Sequence, residues 1–147
     1  MKNQNLNKNA VSLASKLRER ANKFIVSKLK EHGIVDISPS HGDIIAILFD
    51  EKEHDMGEIA KRISKTKPTV TVLVEKLETC GYVSRFKDDE DGRIVLVKLT
   101  EKSIRLKSVF ESIAEELNSI VYNGFSEMEA EILERLLQKA VLNFQEV

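Results

Sequence analysis

The chain has 147 residues, of which 41% are hydrophobic and 32% are charged, and its formal net charge is −1. This length suits one domain, or one domain with a helical extension, and no apolar run approaches the ~18 residues of a membrane-spanning helix. The polar N-terminus lacks the apolar stretch of a secretory signal. The single cysteine, Cys80, cannot form an internal disulfide, which fits a reducing compartment and predicts a cytoplasmic protein.

Charge is distributed unevenly along the chain. Residues 56–105 hold 11 basic and 8 acidic side chains, whereas residues 106–147 hold 3 basic and 8 acidic ones. A mildly basic centre indicates a nucleic-acid partner only when a motif supports it.

The first third of the chain predicts two helices. Apolar residues recur at steps of three and four from Leu6 to Leu29, which marks one long amphipathic helix that Gly33 ends. Ser38 and Pro39 then stand in the order of an N-cap and a first helical position. The short helix after them is apolar on most sides, so we expect it at the centre of the fold.

A helix of barely two turns, a tight break and a longer helix follow. Asp55 and Glu58 have the spacing of a capping box, and Thr66 is placed to cap the longer helix, which Gly81 closes. One face of that helix is apolar. The other carries short polar and cationic side chains, the types that contact base edges and phosphates: Thr66, Lys67, Thr69, Thr71 and Lys76.

The sequence pattern changes to a period of two after this helix. Residues 82–86 and 94–99 are rich in β-branched and aromatic side chains and are separated by the acidic turn KDDEDGR, so they predict a hairpin. A short helix, a turn, a longer helix and a hairpin, in this order, predict a winged helix-turn-helix. In that arrangement the first helix braces the second, which lies in the major groove of DNA.

The C-terminal part predicts two further helices. Thr100 is placed to cap a fifth helix whose apolar spacing continues to Ile120, and Ser126 with Glu129 forms another capping box before the last helix. The stripe of the last helix, up to Phe144, spreads over more than one side. Periodicity alone leaves open whether these helices form a larger monomeric core or an interface between chains.

The run from residue 56 to residue 103 resembles the MarR family of winged-helix transcriptional regulators. The matching stretches are EIAKRI, SKTKPTVTVLVEKL, CGYVSR, and DGR leading to LTEK. The resemblance implies a mainly α fold with a small β-hairpin wing. It also implies a homodimer that binds a palindromic operator in double-stranded DNA, most often to repress transcription, with dimerisation helices at 1–35 and 101–147 flanking a DNA-binding domain at 36–100.

The family's pattern also implies roles for particular residues. The hairpin loop is the wing, its arginine (Arg93) enters the minor groove, and Asp91 can hold the guanidinium in a bidentate geometry. Arg62, Lys65 and Lys87 would contact phosphates. The implied DNA-binding set is Arg62, Lys65, Thr66, Lys67, Pro68, Thr69, Thr71, Val72, Lys76, Lys87, Asp91 and Arg93.

Three features of the sequence fit the family's pattern less well. Asp88, Asp89 and Glu90 make the wing tip acidic, which should lower its attraction to phosphates. Val72 stands where the family often has a basic or small residue, and can offer only an apolar contact to a thymine methyl group. Ser103 stands where the family usually has glycine.

The resemblance further implies a small aromatic or phenolic effector, bound between the dimer helices and the winged domain, with His41 and Arg105 at the edge of its site. The three histidines lack the i,i+4 spacing of a helical metal site, so no metal is predicted. Cys80 ends a helix, where the negative end of the dipole disfavours a thiolate.

No catalytic constellation and no phosphate-cradling glycine loop stands out in the sequence, so it predicts neither an enzyme nor a cofactor. Two alternatives stay open at this point. One is a winged-helix module for protein–protein contact, and the other is a metal-responsive or redox-responsive sensor of the same family.

Overall fold

The structure is a computed structural model that describes the chain from residue 7 to residue 146. Leu6, the first apolar position of the predicted stripe, lies outside the described residues. The chain forms two compact units, one ending at Ile113 and the other starting at Ala114. Within the described range, no helix has both the length and the apolar character needed to cross a membrane.

The fold is mainly helical with one small antiparallel sheet, as the sequence predicted. Its elements in chain order are α1 (Ala10–Glu31), α2 (Pro39–Leu48), β1 (His54–Asp55), α3 (Met56–Arg62), α4 (Lys67–Thr79), β2 (Val83–Lys87), β3 (Val95–Leu99), α5 (Glu101–Arg105), α6 (Lys107–Val121), α7 (Glu127–Leu142) and a terminal 3-10 turn (Asn143–Glu146).

Predicted helix starts are confirmed where a side chain caps the backbone. The Thr66 hydroxyl accepts the Thr69 N–H at 3.4 Å at the start of α4. At the start of α7 the capping box is complete, since the Ser126 hydroxyl accepts the Glu129 N–H at 3.1 Å and the Glu129 carboxylate accepts the Ser126 N–H at 3.0 Å. The glycine that closes α4, Gly81, has φ +81°, a conformation that side chains with a Cβ rarely adopt.

The capping box predicted at the start of α3 is formed only in half. The Asp55 carboxylate accepts the backbone N–H groups of Gly57 and Glu58 at 2.5 and 3.2 Å. The Glu58 carboxylate lies 3.3 Å from the Nδ1 atom of His54 instead of closing the box. A histidine one residue before the cap therefore takes the carboxylate that the pattern assigned to the backbone.

The predicted hairpin is part of a three-stranded sheet with the strand order β1-β3-β2. The sequence placed residues 50–55 in a polar loop, but His54 and Asp55 pair with Val97 and Leu96 of β3 as a short strand. A two-residue strand shows no alternation, and its partner lies some forty residues away. The local pattern therefore could not reveal it.

The single fifth helix predicted from Thr100 is divided in two. The chain turns at Leu106, whose N–H bonds to the Ser103 carbonyl at 3.0 Å, so α5 ends at Arg105 and α6 begins at Lys107. The Thr100 hydroxyl does not cap α5 but donates to the Gly81 carbonyl at 2.6 Å. Apolar spacing continues through the turn, and neither glycine nor proline marks it.

The buried core lies under the predicted DNA-binding elements. Ile44, Ile45 and Leu48 of α2 are fully buried, which confirms the central position expected for that helix. Around them pack side chains from most other elements of the first unit: Leu29, Ile59, Val70, Val74, Leu77, Val83, Val97, Leu99 and Ile113.

Candidate nucleic-acid interface

Helix α4 divides its side chains between the core and the surface. Val70, Val74 and Leu77 have no exposed surface, so they fix the helix on α2 and α3. The opposite face is open to solvent along its length, and even Val72 is 66% exposed. The exposed members of the predicted major-groove set are Thr66, Lys67, Pro68, Thr69, Val72 and Lys76, while Thr71 is half-buried.

The threonine hydroxyls of this face already have partners within the helix. The hydroxyls of Thr66 and Thr69 lie 2.9 Å apart, and the Thr71 hydroxyl donates to the Lys67 carbonyl at 2.9 Å. A hydroxyl whose proton is engaged still offers its oxygen lone pairs. Thr71 is therefore suited to accept a hydrogen bond from a base amino group, or to contact a thymine methyl group with its own methyl.

The wing presents one arginine in a fixed geometry. The Arg93 side chain is 92% exposed, and its Nε and Nη2 atoms lie 3.1 and 3.2 Å from the two carboxylate oxygens of Asp91. The same carboxylate accepts the Arg93 backbone N–H at 3.1 Å. The guanidinium and this backbone bond hold the pKa of the Asp91 carboxyl below its usual range. The predicted bidentate pair is formed.

The three cations assigned to phosphates are all exposed. Arg62 ends α3 and lies 3.9 Å from Glu58, a long contact that constrains it little. Lys65 lies in the turn between α3 and α4, and Lys87 ends β2 at the base of the wing tip. In the sequence, two of these cations precede α4 and one follows it, and all three are open to a solvent-side partner such as a phosphate.

The base of the wing is anchored by two hydroxyl groups for which the sequence predicted no such contact. The Ser103 side chain is fully buried and donates to the Tyr82 carbonyl at 2.6 Å, and the Thr100 hydroxyl donates to the neighbouring Gly81 carbonyl. The serine at the position of the family's usual glycine thus ties α5, by a buried hydrogen bond, to the residue that precedes β2.

Two groups of contacts near the interface, one around Arg85 and one around His54, involve carboxylates and were not predicted from the sequence. Glu78 of α4 bonds to Arg85 of β2 through its side chain and backbone. His54 is buried between two carboxylates, with Nε2 2.8 Å from Asp50 and Nδ1 3.3 Å from Glu58. Asp50 and Glu58 each lie four residues from His54, and Glu78 lies seven from Arg85, but each contact crosses the boundary between two elements, so the period of a single element does not indicate it.

The two residues predicted at the edge of an effector site lie in different surroundings. Arg105 lines an open pocket of about 400 Å³ together with Lys102, Tyr82 and Asp36. The Tyr82 hydroxyl donates to the Asp36 carboxylate at 2.7 Å, and the Lys102 ammonium lies 4.1 Å from the centre of the Tyr82 ring.

His41 is buried in the first turn of α2 and is not among the residues that line that pocket. Its Nδ1 atom accepts the Ser38 backbone N–H at 2.9 Å, so this nitrogen carries no proton. Burial lowers the pKa of His41, the positive charge of Lys76 lowers it further, and the carboxylate of Asp36 partly offsets them.

Neither His32 nor Cys80 belongs to a group of metal-binding side chains among the described residues. Within residues 7–146, no three histidine, cysteine, aspartate or glutamate side chains are grouped to hold a metal ion. Cys80 is a free, half-buried thiol at the C-cap of α4.

Comparison with known proteins places this geometry among DNA-binding regulators. The MarR family model matches residues 37–95. The uncharacterized HTH-type transcriptional regulator YcgE of Bacillus subtilis is 31% identical over 136 residues, which span 92% of this chain and 86% of that protein. The HTH-type transcriptional repressor YetL of the same organism is 33% identical over 97 residues, 64% of this chain and 58% of that protein.

Solved structures agree in fold with this assignment. The crystal structure of S. aureus MepR in complex with DNA matches with a TM-score of 0.82 at 26% sequence identity, over 91% of this chain and 97% of that one. A MarR transcriptional regulator from Methanosarcina mazei Go1 matches with a TM-score of 0.79 at 24% identity, over 92% and 96% of the two chains.

Proposed function

Because the chain belongs to the MarR family of helix-turn-helix transcriptional regulators, we propose that it binds a palindromic operator as a homodimer in the cytoplasm and represses transcription from it. One observation carries the proposal. The uncovered side of α4 and the bidentately held Arg93, whose side chain is 92% exposed, are both open to solvent.

In this proposal α4 lies in the major groove, which is about 12 Å wide and accepts one helix. Lys67 and Lys76 stand at the two ends of the exposed face, where they reach phosphates or guanine edges. The threonines between them accept from base amino groups or contact thymine methyls, and Val72 adds an apolar contact. Pro68 has no N–H to donate, so in this proposal it can contribute only van der Waals contact from the first turn of α4.

Arg93 of the wing enters the adjacent minor groove while Arg62, Lys65 and Lys87 contact the backbone. A narrow minor groove concentrates negative potential, which favours an inserted guanidinium. Asp91 keeps that guanidinium extended in one orientation, so less side-chain freedom is lost on insertion than for an unrestrained arginine.

A homodimer is supported by apolar surface that a single chain leaves uncovered. Helix α7 has no buried residue, and its large apolar side chains are widely exposed, as is the first part of α1. Large apolar side chains exposed in such number are typical of an interface between chains. The exposed apolar residues of the first part of α1, of α7 and of the segments on either side of α7 are Val11, Leu13, Leu17, Ile120, Phe125, Met128, Ile132, Leu136, Leu137, Val141, Leu142 and Phe144.

The proposal includes a small aromatic or phenolic anion that releases the protein from its operator. The pocket beside Arg105 supports this, because Arg105 and Lys102 supply positive charge next to an aromatic ring. Thermal melting with and without salicylate, for the wild type and for Arg105→Ala, tests this part. Stabilisation of the wild type alone supports the site, and no shift in either protein rejects it.

Selection of bound duplexes from randomised DNA tests the main proposal. We expect enrichment of a palindrome whose half-sites are about 10 base pairs apart, bound by two chains, because a two-fold dimer places its recognition helices one turn of DNA apart. In a salt titration the logarithm of the affinity should fall linearly, with a slope of about −0.9 for each phosphate contacted.

One outcome of the selection and one of the salt titration would overturn the proposal. No enriched sequence would favour a winged-helix module for protein–protein contact, and a flat salt response would reject the phosphate contacts.

A further inference from the structure

One carboxylate joins the predicted recognition helix to the predicted wing. Glu78 lies in the last turn of α4, and its Oε2 atom accepts the backbone N–H of Arg85 in β2 at 3.1 Å. Its Oε1 atom accepts from Nη2 and Nε of the same residue at 3.1 and 3.4 Å. A single side chain of the helix therefore holds both the backbone and the side chain of one strand residue.

The strand held in this way is an edge strand. The sheet order is β1-β3-β2, so β2 has a neighbour on one side only. Arg85 pairs with Val97 of β3, yet its N–H bonds to Glu78, so this donor lies on the free edge. An unsatisfied edge donor costs stability and exposes the strand to foreign pairing, and Glu78 satisfies it from the helix.

Charge adds to the geometry of this contact. The side chains of Glu78 and Arg85 are 39% and 29% exposed, so water screens the pair only partly. The bond from the guanidinium, followed by the backbone bond, lowers the pKa of the Glu78 carboxyl. Glu75, one turn earlier on α4, reaches Arg85 only by a contact of 3.9 Å.

We propose that Glu78 and Arg85 act as positioning residues that set the wing against α4, so that Arg93 and the recognition helix engage DNA together. This rests on the proposed function, since it assumes that α4 and Arg93 both contact the operator. Neither positioning residue needs to touch DNA itself.

The length of the wing makes its orientation critical. With a rise of ~3.3 Å per strand residue, the two residues from Arg85 to the end of β2 span about 7 Å, and the turn lies beyond them. A rotation of about 10° at Arg85 then moves the end of the strand by roughly 1 Å, which exceeds the ~0.5 Å range of normal N–H···O distances. The buried residues at the other end of the strand, such as Val83 at 2% exposure, fix only that end.

A double-mutant cycle on the selected operator tests the proposal. Arg93→Ala is expected to weaken binding about tenfold in the wild-type background. In a Glu78→Gln background, the amide oxygen can still accept the Arg85 backbone N–H, but the ion pair with the Arg85 guanidinium is lost. In that background Arg93→Ala should lower the operator affinity roughly threefold or less. The matched control is Glu75→Gln, which removes the same charge from the same helix face and should leave the tenfold cost unchanged.

The melting temperature of each variant is measured as well, so that an effect on wing position can be told from an effect on stability. Arg85→Lys is a second variant: it keeps the backbone hydrogen bond to Glu78 but loses the paired guanidinium contacts. An intermediate cost of Arg93→Ala in that background would support the proposal. An equal cost of Arg93→Ala in the wild-type, Glu78→Gln and Arg85→Lys backgrounds would overturn it while leaving the proposed function intact. No cost in any background would reject the wing contact itself, and this proposal with it.

Discussion

At the scale of single residues, the wing depends on the shape of a guanidinium as much as on its charge. Arg93 is held by two parallel N–H contacts to the oxygens of Asp91, and the side chain is otherwise in solvent. Lysine has one ammonium group on a flexible stem and cannot form this planar pair. A positive charge alone would therefore remain at the tip without a fixed direction.

Replacement of Arg93 by lysine is therefore expected to weaken operator binding nearly as much as replacement by alanine, by about 1–3 kcal/mol. The melting temperature should not change, because the side chain is 92% exposed. Fluorescence anisotropy on the selected operator measures the affinity, and Lys87→Ala provides a control for loss of one wing charge. Full affinity of Arg93→Lys would show that charge alone suffices and would contradict the role assigned to Asp91.

A second prediction at this scale concerns His41. Burial, assisted by Lys76, lowers the pKa of His41, so the folded chain binds a proton there less readily than the unfolded chain does. The stabilising contribution is complete above the unfolded value of about 6.5 and is lost as pH falls from there through the lower pKa of the folded state.

The free energy of unfolding, measured by denaturation from pH 8 to pH 5, tests this expectation. The wild type should lose stability on acidification relative to His41→Gln, which has no proton to bind at this position. His32→Gln is the matched control, because His32 is exposed at the C-cap of α1. Curves for wild type and His41→Gln that stay parallel across this range would contradict the assignment.

At the scale of elements, the helices were predicted most completely because their signals are local. The caps Thr66 and Ser126 and the glycine Gly81 sit within a few residues of the ends they mark. Strand β1 was missed because His54 pairs with β3, some forty residues away. The turn at Leu106 is local, but the apolar spacing continues through it and no glycine or proline marks it.

In the candidate site, too, contacts within one element were easier to predict than contacts between elements. The pair of Asp91 and Arg93 was implied by the resemblance to the MarR family, whose pattern places both residues in one loop. The contact between Glu78 and Arg85 was not, because it depends on how a helix end meets a strand edge. The exposed face of α4 was predicted from spacing alone, since the apolar residues that oppose it identify the buried side.

The acidic tip of the wing leads to a prediction at the element scale. Asp89 and Glu90 are exposed beside Arg93, where they repel phosphates. We expect Asp89→Asn with Glu90→Gln to raise affinity for non-operator DNA more than affinity for the operator, so that the ratio of the two falls. The control exchanges the same residues as Asp89→Glu and Glu90→Asp, which keeps both charges. A ratio unchanged by neutralisation would show that the tip does not contribute to selectivity.

At the scale of the whole molecule, charge and apolar surface are separated along the chain. Residues 56–105 carry three more basic than acidic side chains, whereas residues 106–147 carry five more acidic than basic ones. A polyanion is attracted to the first region and repelled by the second. In the proposed dimer, the helices with exposed apolar faces would contact the partner chain and the winged elements would bind DNA.

This separation predicts that dimerisation and DNA binding can be uncoupled only at a cost in affinity. Leu136→Asp places a charge in the exposed apolar face of α7, where the leucine is 58% exposed. We expect a folded monomer by analytical ultracentrifugation, because a buried unpaired carboxylate is strongly unfavourable in an interface, and operator affinity lower by at least a hundredfold, because one half-site is lost. Glu131→Gln changes the charge of a side chain of the same helix that is 69% exposed and pairs with Arg135 of its own face, and should remain a dimer with wild-type affinity. A Leu136→Asp protein that stays dimeric would move the interface away from α7, and a monomer with undiminished affinity would mean that one chain suffices to recognise the operator.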